Sequence, residues 1–207
     1  VRQLDIKKEH DFQFTRKWFL NRNLPTFRDR IAPVWAGKPI MYLEIGVFEG
    51  MSMVWMCQHV LTHPAAHGIG IDPWLMTTKL DGSTMADVHR RADHNTVPYH
   101  QCQLIRGNSA EVLRRMVHRG GYAGIKQGSV DLCMIDGNHN DLAVLDDARL
   151  CTRLVKTGGH ILFDDVQNDR QKRDHVFEGL QMFLAESKSV QLLWRDRYME
   201  CYVKTST

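Results

Sequence analysis

Tyr42-Leu43-Glu44-Ile45-Gly46-Val47-Phe48-Glu49-Gly50-Met51-Ser52 passes from an apolar run through a glycine turn into a segment with helical spacing. Ile40 to Ile45 reads as a strand, Gly46 to Gly50 as a turn, and about Ser52 to Leu61 as a helix stopped by Pro64. Strand, glycine turn and helix together open a βαβ unit. Glycine reaches positive φ and lets backbone amides approach a ligand, although an ordinary tight turn would also use two glycines.

The same alternation continues outward. Strands are expected at Gly68 to Ile71, Gln103 to Arg106, Ser129 to Ile135 and His160 to Phe163, the last entered through Gly158-Gly159. Helices are expected around Ser83 to His94, from Ser109 (which can cap free amides), over Asp141 to Val155, and over about Arg170 to Ala185. Leu142, Leu145, Ala148 and Leu154 should share one helix face. Ser189 to Trp194 and Tyr198 to Lys204 should close the sheet as a hairpin with one antiparallel edge strand. Upstream, Pro25 and Pro33 should divide the aromatic segment 9–36 into two short helices.

The expected architecture is α/β: a Rossmann-like, doubly wound, mostly parallel seven-stranded sheet with a C-terminal antiparallel hairpin and an N-terminal helical extension. One domain covers 1–207, with a cap over 1–38 and the core over 39–207.

Composition narrows the function. Lys and Arg number 27 against 24 Asp and Glu, and the basic residues are scattered, as in Arg90-Arg91, Arg114-Arg115 and Arg170 to Arg173. That favours solvated helix faces over a nucleic-acid surface. No stretch approaches transmembrane length, so no membrane partner is expected. Cys57, Cys102, Cys133, Cys151 and Cys201 form no C-x-x-C pair, which suits a reducing, cytoplasmic setting. His59, His63 and His67 are regularly spaced, but Pro64 interrupts the helix that would align them as zinc ligands.

Open parallel sheets bind ligands at the carboxyl ends of their strands, where strand order reverses. Asp72, at the second strand's end, is placed to accept both hydroxyls of an adenosine ribose or to cap the next turn. Glu49 replaces a third glycine and Glu44 precedes the loop, a pairing that repels pyrophosphate and suits an ammonium group. S-adenosylmethionine carries an ammonium and a sulfonium and no phosphate.

With Gly70-Ile71-Asp72-Pro73-Trp74, Gly107-Asn108-Ser109, Ile135-Asp136-Gly137-Asn138-His139 and Gly158-Gly159-His160-Ile161-Leu162-Phe163-Asp164-Asp165, the opening stretch resembles class I S-adenosylmethionine-dependent methyltransferases. The resemblance is to the small metal-dependent O-methyltransferases of the catechol and macrolide-sugar branch, over about residues 40–166. It implies that Glu44, Gly46 and Gly50 line the methionine end of the cofactor, that Ser52 opens the following helix near it, and that Val47 and Glu49 of the same loop are cofactor-binding. Asp72 would bind the ribose, with Trp74 as a wall, Asn108 and Ser109 by the adenine, and Asp136 at the cofactor's edge.

Asp136 ends the fourth strand and Asp164-Asp165 end the fifth, so three carboxylates should crowd one sheet edge. Such crowding calls for protons or a cation, and an all-oxygen cluster suits magnesium, manganese or calcium. The alternative is that Asp164 and Asp165 organise the loop or bind the cofactor's amine. The resemblance implies that Asp136, Asp164 and Asp165 are the metal ligands and His139 the catalytic base. A helix-capping role for His139 stays open. Asp147 matches a recurrent acid of the family, and Asp141 stands where many relatives carry an aromatic residue.

These readings lead to metal-assisted O-methylation of a small hydroxylated acceptor, a sugar or polyol before a catechol. Homo-oligomerisation is compatible with them. The alternatives are a metal-independent N- or carboxyl-methyltransferase, a non-catalytic S-adenosylmethionine-binding protein, and, disfavoured by Glu49, a nicotinamide dehydrogenase.

Overall fold

The computed structural model describes residues 6–7, 9–75, 83–118, 120–166 and 175–206. Residues 41–163 carry five strands: β1 (Met41–Ile45), β2 (His67–Asp72), β3 (Cys102–Arg106), β4 (Val130–Ile135) and β5 (Val155–Phe163). β6 (Val190–Arg195) and β7 (Glu200–Lys204) follow. The sheet order is β3-β2-β1-β4-β5-β7-β6. Strand order therefore reverses between β1 and β4, and the glycine turn lies at that reversal.

The Rossmann-like architecture is as the sequence implied, with one refinement. β7 pairs antiparallel with both β5 and β6. The reversed strand is thus inside the sheet, and the edge strand β6 runs with the first five.

Helices flank the sheet: α3 (Met51–His59), α4 (Met85–Thr96), α5 (Ser109–His118), α6 (Asp141–Leu154) and α7 (His175–Glu186). The expected start of the last helix, near Arg170, falls outside the described residues. Both sheet faces are covered, which explains the apolar strand runs. Leu43, Ile45, Cys133, Ile135, Ile161 and Phe163 face α5, α6 and α7 in one core. Tyr42, Leu132, Met134 and Leu162 face the other core, with α3 and the N-terminal helix.

Local chemistry sets the helix ends. Thr84 and Asp87 form a reciprocal capping box at α4. Asn140 caps α6, its side chain accepting from the amides of Leu142 and Ala143. His139 is therefore not the cap. At α5 the cap is Asn108, which accepts from Glu111 N, and Ser109 is already helical.

Two other expectations change. Pro25 and Pro33 do not break the N-terminal segment; residues 19–35 form one helix. Short α turns, α1 (Leu24–Thr26) and α2 (Ala32–Trp35), alternate with wider π turns, Phe19–Asn23 and Phe27–Ile31. Leu24 N–H bonds Phe19 O and Ala32 N–H bonds Phe27 O, each immediately before a proline. The wide turn makes room for the ring that would otherwise strike the preceding turn. At Gly158-Gly159 the β4–β5 register jumps between Val130 and Leu132, so β5 starts early and is interrupted where a clean turn was expected.

Candidate active site

Three staggered strand ends build the site. Gly46 N–H bonds Ile71 O, Asp136 N–H bonds Ile45 O, and Asp164 N–H bonds Ile135 O. Each residue just past β1, β4 and β5 is thereby tied to the end of its neighbour.

Gly46 has φ +88°, and a Cβ there would lie 1.8 Å from Asp136 O. Only glycine lets the loop lie against the β4 end. Gly50, with φ +80°, is the N-cap of α3. Asp72 braces the loop from β2: one carboxylate oxygen accepts from Val47 and Phe48 amides at 2.9 and 3.0 Å. Its other oxygen accepts from Trp74 N at 2.7 Å. The turn-capping role is thus present.

Glu44 is fully buried, accepting from Tyr42 Oη at 2.8 Å and from the Ser52 hydroxyl. Burial pushes its pKa up to about 7; the Ser52 and Tyr42 bonds oppose this, and the charges of Asp72 and Asp164 add to it.

Glu49 is already partnered within the protein. Its carboxylate accepts from Thr15 N at 2.6 Å and Thr15 Oγ1 at 2.8 Å, and pairs with Arg91 at 3.1 Å. It pins the N-terminal segment and α4 to the loop, and its charge is already matched. Trp74 is also committed elsewhere. It is buried, stacks on His89 with centroids 4.1 Å apart, and donates Nε1 to Phe48 O. It supports the loop from behind, with Val47, Val88 and Ala92 around it.

Asn108 and Ser109 line a cleft of about 250 Å³ with Ala110, Asn138, Leu142, Ala143, Asp146 and Asp147. Leu142 is 60% exposed beside it, off the buried face expected for it. Asp147 is 1% exposed with Oδ1 unpartnered; burial raises its pKa to about 6, partly offset by the nearby Ser109 hydroxyl.

The three acids do converge. Asp164 is buried, Oδ2 accepts from Asn23 Nδ2 at 2.6 Å, and Oδ1 is buried without a partner. Burial and then the charge of Asp165 raise its pKa to about 6. Burial, with the charges of Asp164, Asp165 and Glu44, holds Asp136 well above the usual carboxylate range. Asp165, in the left-handed region at φ 55°, pairs with Arg22 through Oδ1 and lies 3.6 Å from His139 Nε2 through Oδ2. Donor atoms of Asp136, His139 and Asp165 lie within 4.8 Å of one another. Asp164 is outside that trio, and His139 stands within it.

Arg22 and Asn23, from the N-terminal helix, were not anticipated. Neither belongs to a recognisable motif; the only signal was the aromatic stripe around them. Phe19 and Phe27 pack on Trp55, and this seats the helix so that Arg22 and Asn23 meet the acids.

Residues 43–166 match the model of a methyltransferase-domain family. The chain belongs to that family. The match spans the glycine loop, the cleft and the acid cluster. It bears out the class I S-adenosylmethionine-dependent resemblance. A mimivirus relative, uncharacterized protein R132 of Acanthamoeba polyphaga mimivirus, is 28% identical over 145 residues, covering 69% of this chain and 58% of its own length. The chain thus spans little more than half the length of that relative.

Solved structures share the fold. A candidate rRNA methylase from Clostridium thermocellum superposes with TM-score 0.63 at 14% identity, covering 93% of this chain and 99% of that one. A candidate O-methyltransferase from Klebsiella pneumoniae gives 0.61 at 14% identity, over 94% and 84%. MycE methyltransferase of the mycinamycin biosynthetic pathway, solved with Mg, S-adenosylhomocysteine and mycinamycin VI, gives 0.58 at 19% identity, over 94% and 50%. At these identities the likeness is one of fold. Among the described residues, no helix is long and apolar enough to cross a membrane.

Proposed function

We propose that the chain methylates a hydroxyl of a small sugar- or polyol-like acceptor from S-adenosylmethionine, assisted by a divalent ion, with magnesium first and manganese or calcium as substitutes. One observation carries this reading. Asp136, Asp164 and Asp165 gather at adjacent strand ends, and Asp164 keeps a buried oxygen without a partner. A cluster of that charge and donor set fits a hard divalent cation.

Asp136, Asp164 and Asp165 would hold the ion. When bound, the ion supplies Lewis acidity that lowers the pKa of an acceptor hydroxyl. His139, exposed and 3.6 Å from Asp165, is the proton acceptor, its imidazole oriented by that carboxylate. The Gly46–Gly50 loop, braced by Asp72, holds the methionine end, with Glu44 beneath it. The cleft beside Asn108 and Ser109 takes the adenine. Displacement at a sulfonium methyl needs little covalent help, so alignment and deprotonation supply most of the rate.

The test is methyl transfer to a panel of polyols, sugars and catechols with Mg²⁺, Mn²⁺ or EDTA. Metal-dependent turnover that disappears in Asp136→Asn supports the reading. Full turnover in EDTA removes the ion and keeps the O-methylation; turnover only on added amine or carboxylate acceptors, unaffected by EDTA, leaves the metal-independent N- or carboxyl-methyltransferase. Tight S-adenosylhomocysteine binding with no turnover on any acceptor leaves the non-catalytic binding protein.

A further inference from the structure

The acid cluster already has a cation. Arg22 contacts Asp165 Oδ1, and its guanidinium lies 4.5 Å over the Tyr198 ring. Its neighbour Asn23 donates to Asp164 at 2.6 Å. Both side chains come from a helix seated independently of the acids, by Phe19 and Phe27 against Trp55, and preceded by the Thr15–Glu49 bonds.

We propose that Arg22 is a tethered counter-cation that occupies Asp165 when no divalent ion is bound and competes with the ion for it. This rests on the divalent site proposed above. Asp165 is shared: one oxygen faces Arg22, the other lies among the donor atoms of Asp136 and His139. An ion drawn to those donors meets a guanidinium on the same carboxylate, and two like charges at that range repel unless one retreats. Tyr198 already holds the Arg22 guanidinium and can keep it when Asp165 is given up, because a guanidinium on an aromatic face keeps part of its stabilisation. Ion binding would therefore loosen the N-terminal helix at Arg22 and leave its aromatic anchors in place.

The competition makes a prediction opposite in sign to a supporting role. A residue that merely holds Asp165 in position should weaken ion binding when removed; a competitor should strengthen it. Calorimetric titration of Mn²⁺ into the wild type and Arg22→Gln is expected to show about tenfold tighter binding in the variant, the scale of losing one charge-assisted contact. Arg22→Lys, which keeps the charge, should stay near wild type.

Hydrogen exchange on the wild type gives a check independent of any variant's folding: Mn²⁺ should raise exchange in the turn around Arg22. Equal or weaker Mn²⁺ binding in Arg22→Gln, or exchange in that turn that falls with Mn²⁺, overturns the competition while the divalent site stands. No Mn²⁺ binding to either protein overturns the divalent site and the competition together.

Discussion

Gly46 and Asp136 touch through backbone alone: a Cβ on the glycine would stand 1.8 Å from the aspartate's carbonyl oxygen. The glycine loop and the acid-bearing end of β4 are thereby one rigid corner. Gly46→Ala must move one or the other, and it also places a side chain at φ +88°. A loss of at least about 2–3 kcal/mol is expected, read as a lower midpoint of thermal unfolding. S-adenosylhomocysteine affinity measured below that midpoint should fall at least about tenfold, since the loop and Asp136 can no longer both hold their places. Unchanged stability and affinity would mean that the corner gives way freely.

Glu49 separates support of the loop from contact with the ligand. Its carboxylate is matched by Thr15 and Arg91 and is 1% exposed. Glu49→Ala leaves Arg91 without its buried partner, and such a break costs about 3–5 kcal/mol. Calorimetry should show that loss in unfolding, with S-adenosylhomocysteine affinity of the folded protein within about threefold of wild type. A large affinity loss at unchanged stability would return Glu49 to the cofactor.

How far the site could be read in advance follows from this contrast. The glycine loop, the second-strand acid and the three clustered aspartates were legible, because each sits at a fixed offset from a strand end and the sheet topology brings those ends together. The partners of Glu49, Thr15 and Arg91, could not be read, because a loop residue's direction depends on the φ of its neighbours. Phe48 and Gly50 both have positive φ, which no spacing rule encodes. The stacking of Trp74 on His89 was hidden likewise, since Trp74 itself has φ 46°. Arg22 and Asn23 escaped notice because their place depends on packing of a helix more than a hundred residues away in sequence. That helix was itself obscured by two prolines that wide turns absorb.

Asp147 offers a pH test away from the acid cluster. Its pKa is raised by burial from 3.8 to about 6. A carboxyl with a raised folded pKa binds its proton more tightly in the folded state. Relative stability is therefore greatest below about pH 4, declines as pH rises through about 6, and levels off above. Asp147→Asn removes the charge and keeps an oxygen for Ser109. The variant should gain on the wild type by roughly 2–3 kcal/mol between pH 4 and pH 7.5. Urea unfolding at the two pH values measures the difference, and parallel curves would show that the folded protein solvates this charge well.

Glu44 makes the matching prediction for binding. With its pKa at about 7, a substantial fraction of the free protein carries the neutral acid near neutral pH. A cationic methionine moiety prefers the carboxylate, so S-adenosylmethionine affinity should improve as pH rises from 6 to about 7.5, with one proton released per ligand bound at the low end. Glu44→Gln should bind more weakly and lose this slope. Calorimetry in buffers of different ionisation enthalpy counts the proton directly, and zero release at pH 6 would place the ammonium elsewhere.

His139 and Asp165 pose the last question, because an imidazole 3.6 Å from a carboxylate is placed either to take a proton or to join that carboxylate on an ion. The exposure of His139 and its position past the end of β4 favour the first role: a base must meet the acceptor, whereas the acids are already enough to hold a hard cation. His139→Ala should then lower kcat by about 100-fold or more, with Mn²⁺ affinity within about threefold of wild type. His139→Gln, which keeps a polar side chain of similar reach but cannot carry the proton, should be as slow as the alanine variant. If both variants lose Mn²⁺ affinity in step with kcat, His139 belongs among the ligands, and the acceptor's proton must leave through another group.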